Sequence, residues 1–234
     1  MAQIVKKSNR LNSQIKKLYL EWLFYGGLAA VCVALLEVTQ MFSFVGIQLI
    51  FLKILDSINN YRILKVGLGG EKKVFELINH LPKGYKILTD VKIVNGRKSS
   101  QIDFVIIGRN GIFIMEAKNM RGTIRGKEND KVLKKIKIGK SGDKYASDVY
   151  NPILQILGHK KGFDAFLASK GHSYRAIPIL YFSGEGSIEV ESEKVKIIDE
   201  PVLVIDYIKR HNQDNISDFV QNKIIEDLLE KAEK

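Results

Sequence analysis

The sequence predicts an α/β fold: a mixed β-sheet flanked by helices, preceded by an apolar N-terminal helical segment. Three observations predict it. A helical period over 67–82 gives way to strand-like stretches from Tyr85 onward. A well-marked helix begins at Asn151 and Pro152, and short strands followed by a C-terminal helix close the chain. Helix, strands, helix and strands again is the order expected when helices cover a mixed sheet.

Residues 1–17 are polar and basic, with Lys6, Lys7, Arg10, Lys16 and Lys17. Residues 18–55 are apolar nearly all round, which fits a membrane better than the striped face of a soluble helix. About 20 apolar residues cross a bilayer. The stretch therefore reads as one tilted span over 22–44 or as a helical hairpin turning at Glu37–Gln40. A buried core helix is the soluble alternative. Lys and Arg flank both ends, so the positive-inside rule favours the hairpin, with both ends cytoplasmic. Residues 56–66 read as a linker, 67–185 as the main domain, and 186–234 as strands and a helix that complete it.

In the main domain, Val74, Leu77, Ile78 and Leu81 give the first helix its apolar stripe, which Pro82 stops. Strands are expected at 85–94, 131–138 and 176–183, with short ones in "IEVESEKVKIID" and "PVLVID". The helix from Asn151 has a capping residue, proline at its first position and a closing glycine. A last helix is expected from Asp218.

The net charge of +11 favours a polyanionic partner, nucleic acid or an anionic membrane, over a surface basic for solubility alone. The single cysteine, Cys32, excludes a disulfide framework and a cysteine-based zinc site. The four histidines are never spaced i, i+4, which excludes a zinc-protease helix. "GKS" at 139–141 lacks the upstream glycine of a phosphate loop, and "FSGEG" at 182–186 lacks the serine spacing of a nucleophile elbow.

The chemistry concentrates in "QIDFVIIGRNGIFIMEAKN", residues 101–119. Asn-Gly between apolar runs is a strong hairpin signal. With Asn110 and Gly111 as the central turn residues, Val105 faces Glu116 and Asp103 faces Lys118. Opposed residues share a face, so Asp103, Glu116 and Lys118 form a cluster, as they do for any even-numbered loop. Glu71 either joins them from the sheet-facing stripe of the first helix or simply favours that helix's N-terminus. An Asp103–Lys118 ion pair alone leaves Glu116 without a partner. A divalent cation removes that cost: neighbouring carboxylates suit Mg²⁺, and a lysine beside them can orient a water. The basic Lys134, Lys135 and Lys137 are candidates for contact with a phosphate backbone.

"GLGGE", "LPKGY", "QIDFVIIGRNGIFIMEAKNMRGTI" and "NPILQILGHK", in this order, resemble the nuclease-related domain (NERD) over roughly residues 66–185. That domain is grouped with the PD-(D/E)xK nuclease-like superfamily. The resemblance implies a restriction-endonuclease-like core and a metal-dependent nuclease site. It makes Asp103 and Glu116 metal ligands, Lys118 the catalytic lysine and Glu71 the acidic residue of the first helix. It also makes Gln155 a glutamine brought to the site by the following helix. The expectation is a membrane-anchored nuclease facing the cytoplasm that hydrolyses DNA, less readily RNA, with Mg²⁺ or Mn²⁺. The alternative is a non-catalytic, membrane-tethered nucleic-acid-binding or interaction module.

Overall fold

The computed structural model describes residues 1–35, 40–95, 98–139, 141–184 and 186–230. They form two compact units, residues 9–69 and residues 1–8 with 70–234.

The smaller unit is built from two long helices, α1 (Arg10–Ala34) and α2 (Gln40–Ile78), the latter contributing its residues up to 69. They run antiparallel. The Trp22 indole donates to Ser57 Oγ at 2.7 Å, and the Tyr19 and Tyr61 hydroxyls meet at 3.3 Å. Gly46 lies against Cys32 near one end, and Gly67 against Leu11 near the other. The expected reversal at Glu37–Gln40 falls mostly on residues outside those described. Residues 56–66, expected to link, are helical. They hold no proline, so only glycine cost, about 1 kcal/mol per residue, opposes the helix through Gly67–Gly70.

The larger unit holds a six-stranded mixed sheet and a smaller four-stranded one. The large sheet runs β1 (Gln3–Lys6), β2 (Lys86–Asn95), β3 (Lys98–Gly108), β4 (Gly111–Lys118), β8 (Ala176–Phe182) and β10 (Lys196–Ile198). The small one runs β7 (Lys144–Tyr150), β6 (Val132–Ile138), β5 (Thr123–Arg125) and β9 (Ile188–Glu189). Strand β4 pairs antiparallel with β3 and parallel with β8. A parallel partner requires a crossover, and α3 (Pro152–Ser169) lies within it.

Each face of the large sheet carries its own apolar core. Ile153, Ile156, Phe163 and Phe166 of α3, with Ile224 and Leu228 of α5 (Asp218–Glu230), pack with Val105, Ile107, Ile112 and Ile114. Val74 and Ile78 of α2, with Val204 and Ile208 of α4 (Pro201–Arg210), pack with Phe104, Ile106 and Phe113. Hence β4 is a continuous apolar run, buried on both sides from Gly111 to Glu116.

Several sequence expectations are corrected. "PVLVID" is the start of α4 and not a strand. Pro201 sits in its first turn, and Val204 and Ile208, four residues apart, are its buried face. Part of the basic N-terminal segment is strand β1, which extends the sheet edge parallel to β2. Strands β5 and β7 have too little alternation to be read in advance.

The hairpin turn also differs. Gly108 pairs with Gly111, so the central residues are Arg109 and Asn110, not Asn110 and Gly111. A type I′ turn needs positive φ at both central positions, but neither Arg109 nor Asn110 has it. Tertiary contacts decide. The Asn110 amide donates to Ile208 O at 2.6 Å and His211 O at 2.9 Å, and Ile216 N–H donates to Arg109 O at 2.7 Å. Gly111 is drawn into β4, where an added Cβ would stand 2.9 Å from Ile177 Cδ1.

Candidate active site

The corrected turn shifts the β3–β4 register by two residues and preserves its parity. The ladder ends at Phe104–Met115, and one further step sets Asp103 opposite Glu116 rather than Lys118. The ladder stops there because the Asp103 carboxylate takes the next donor: Ala117 N–H donates to Oδ2 at 3.1 Å.

The sheet bends at the same place. Leu88, Val91 and Ile93 of β2 share one core, as do Ile102, Val105 and Ile107 of β3. Strict alternation cannot place 88 with 91 or 102 with 105 on one face, so the faces exchange between them. Asp90 and Asp103 lie at that exchange, and Asp90 has φ 56°, unique among described non-glycine residues in being positive. Ser8 Oγ donates to Asp90 Oδ2 at 2.7 Å, and Gln101 Nε2 donates to Oδ1. A bulge-like kink beside a site re-aims a side chain, here that of Asp103.

Glu116 is buried, with 4% of its surface exposed. Its Oε1 accepts from Lys118 Nζ at 2.7 Å and from Gln155 Nε2 at 2.7 Å. Gln155 Oε1 accepts from the same Lys118 Nζ at 2.9 Å, which closes a three-residue ring. The other Glu116 oxygen, Oε2, is buried and has no hydrogen-bond partner.

Gln155 stands in the first turn of α3, fixed by Asn151. That residue is fully buried and accepts from Ile153 N–H at 2.9 Å as the helix cap. Its amide nitrogen donates to the carbonyls of Lys127, Glu128 and Asp130. Glu71 is half-buried on α2, close enough for its charge to act on Asp103. At Gly70 an added Cβ would lie 3.1 Å from Asn119 Cβ, so glycine lets the helix approach the end of β4.

The electrostatics follow from burial and crowding. The pKa of Asp103 is raised to about 7, first by burial, then by the charge of Glu116 and, more weakly, by that of Glu71. The Ala117 N–H and Lys118 pull it down but do not offset this. His159, one turn beyond Gln155, has its Nε2 3.8 Å from Glu116 Oε2. Burial lowers its pKa, Glu116 opposes this and Lys118 adds to it. Sequence reasoning missed His159. Its available signal was the i, i+4 spacing from Gln155 inside "NPILQILGHK", which puts both on one helix face.

Asp103, Glu116, Lys118 and Gln155 are thus brought together, with Glu71 beside them. The three basic candidates are not equivalent. Lys134 forms an ion pair with Asp148 on the neighbouring strand. Lys135 and Lys137, two apart, project from the opposite face of β6, where burial and the charge of Lys137 lower the Lys135 pKa.

The donor set can be matched to a hydrated divalent cation. Among the described residues no three of His, Cys, Asp and Glu form a ready metal cage. Mg²⁺ needs none, since it keeps several waters and takes one or two carboxylates. Two close carboxylates, one with an oxygen that lacks a hydrogen bond and the other held near neutrality by burial and then by their repulsion, fit such an ion.

Fold and site together define a PD-(D/E)xK nuclease-like core. The nuclease-related domain (NERD) family model matches residues 66–183, and the chain belongs to that family. The chain is also 38% identical over 64 residues to an uncharacterized protein of Bacillus anthracis, a match covering 26% of this chain and 30% of that protein. No solved structure matches the chain significantly.

Proposed function

We propose that this protein is a membrane-anchored, metal-dependent nuclease that hydrolyses phosphodiester bonds of DNA in preference to RNA. The carrying observation is the division of labour on Glu116: Lys118 and Gln155 occupy Oε1, while buried Oε2 has no hydrogen-bond partner. Asp103 and Glu116 would hold Mg²⁺ or Mn²⁺, with Glu71 as a third carboxylate nearby. When bound, such an ion supplies Lewis acidity at the scissile phosphate and lowers the pKa of a water.

The protein's own groups supply the rest. Lys118, tethered at two points, directs its ammonium toward the phosphate and toward the negative charge that develops there. Gln155 holds Lys118 and Glu116 in register, so the attacking water meets a fixed array. Lys135 and Lys137 supply cations for the backbone phosphates. For anchoring, α1 is long and apolar enough to cross a membrane, and only 6% of its most apolar window is buried. Basic residues at both ends of the helix pair support a cytoplasmic nuclease domain.

The test uses the full chain in detergent with plasmid and linear DNA and with RNA, in Mg²⁺, Mn²⁺ or EDTA. Cleavage is expected with either metal and not in EDTA, and Glu116→Ala is expected to lower it about a hundredfold or more. Retained cleavage in Glu116→Ala sinks the mechanism. Binding without cleavage in any metal favours a tethered binding module.

A further inference from the structure

The hydrogen bonds around Gln155 determine which atoms carry protons. Lys118 can only donate, and the carboxylate paired with it accepts, so the amide is oriented with Oε1 toward Lys118 and Nε2 toward Glu116. The Gln155 amide nitrogen has a second hydrogen, and the nitrogen itself lies 3.4 Å from His159 Nε2. With the imidazole proton on Nδ1 that ring nitrogen can accept this long contact in the metal-free protein, and a cation at Nε2 would take its one lone pair in place of the amide hydrogen. The same Nε2 stands 3.8 Å from Glu116 Oε2, itself buried and without a hydrogen-bond partner. An imidazole nitrogen and a carboxylate oxygen thus face each other beyond hydrogen-bond distance. An isolated pair of this kind is unfavourable, and a cation between them relieves it.

We propose that His159 is an imidazole ligand of the metal, forming with Glu116 Oε2 a nitrogen–oxygen site for a divalent transition ion such as Mn²⁺. Imidazole and carboxylate bonds of about 2.1 Å span up to about 4.2 Å across one ion, so the 3.8 Å separation accommodates it. Waters and Asp103 complete the shell. A nitrogen donor distinguishes this site from an all-oxygen Mg²⁺ site and shifts preference toward Mn²⁺. The inference rests on the metal-dependent reading above and adds to it a residue and a selectivity.

The test is pulsed electron paramagnetic resonance on the full chain loaded with Mn²⁺ alone, reading echo modulation from a directly bonded ¹⁴N nucleus. Nitrogen modulation is expected in the unmodified protein, retained in His172→Gln and absent in His159→Gln. Calorimetric titration should show Mn²⁺ affinity falling about tenfold or more in His159→Gln, with a smaller change for Mg²⁺. Because the first reading is on the unmodified protein, misfolding of a variant cannot rescue the idea. Mn²⁺ bound without nitrogen modulation, or with modulation that survives His159→Gln, removes His159 and leaves the carboxylate site standing. Failure to bind Mn²⁺ at all overturns both.

Discussion

Asp103 ties the site to pH. In the unfolded chain its carboxyl gives up a proton near pH 4, and in the folded protein it does so at about 7. Between those values the folded state binds more protons than the unfolded one. The metal-free protein therefore loses stability as pH rises through the window, and the full contribution is present only below about pH 4. A gap of this size corresponds to a few kcal/mol, on the order of 1.4 kcal/mol per unit. Asp103→Asn keeps an acceptor for the Ala117 N–H and cannot ionise. In EDTA it should melt close to the unmodified protein at pH 4 and well above it at pH 8. Parallel melting profiles across that range would show that burial and the neighbouring carboxylates do not hold Asp103 protonated. The same crowding explains why a cation belongs here, since metal and proton compete for the carboxylate and affinity should rise with pH through about 7.

The helix that delivers Gln155 is packed along its length, and its first turn is fixed by one polar residue. Asn151 caps α3 and also donates to three carbonyls of the 127–130 loop. Loss of a cap costs about 1 kcal/mol, and the part-buried Glu128 and Asp130 carbonyls, left without this donor, cost about 1 kcal/mol each, while Lys127 O keeps the Asp130 N–H. Asn151→Ala should thus lower unfolding stability by roughly 2–4 kcal/mol in urea titration and reduce cleavage as well. Asn151→Ser, which restores only the cap, should recover about 1 kcal/mol of it. A loss below about 1 kcal/mol in Asn151→Ala would mean the loop is held elsewhere. This start of α3 was legible because capping and proline chemistry are local. The clustering of Asp103, Glu116 and Lys118 was legible too, since it needs only the parity of the hairpin. The turn itself was not: Asn110 is spent on α4 and its following residue, partners about 100 positions away, and no local signal encodes them. The α4 segment misled for the same reason, because Val202, Leu203, Val204 and Ile205 favour strands until Val204 and Ile208 find a core. The kink at Asp90 was equally hidden, as it depends on Ser8 and Gln101 converging on one carboxylate.

Two features of the whole chain could each hold it at a membrane, and they differ in kind. A net charge of +11 attracts anionic lipid headgroups, at about 1 kcal/mol per basic residue near the surface. That attraction is screened within about 3 Å in 1 M salt. The helix pair offers apolar burial instead. Leu20, Leu23, Phe24 and Val31 of α1 are exposed, as are Leu49, Phe51 and Leu52 of α2, and salt does not weaken their transfer into lipid. At 25 residues, α1 is about 37 Å long, enough for a hydrocarbon core of about 30 Å. If the proposed anchor inserts, the full chain should stay in the membrane pellet through 1 M salt and leave it only in detergent. Phe24→Lys with Leu28→Lys adds about 5–7 kcal/mol against insertion while raising the positive charge. If apolar burial holds the protein, this variant shifts to the salt-extractable fraction although it is more basic. If charge holds it, the variant binds at least as well in low salt, and the unmodified chain is released by 1 M salt, which would remove the anchor from the proposed function.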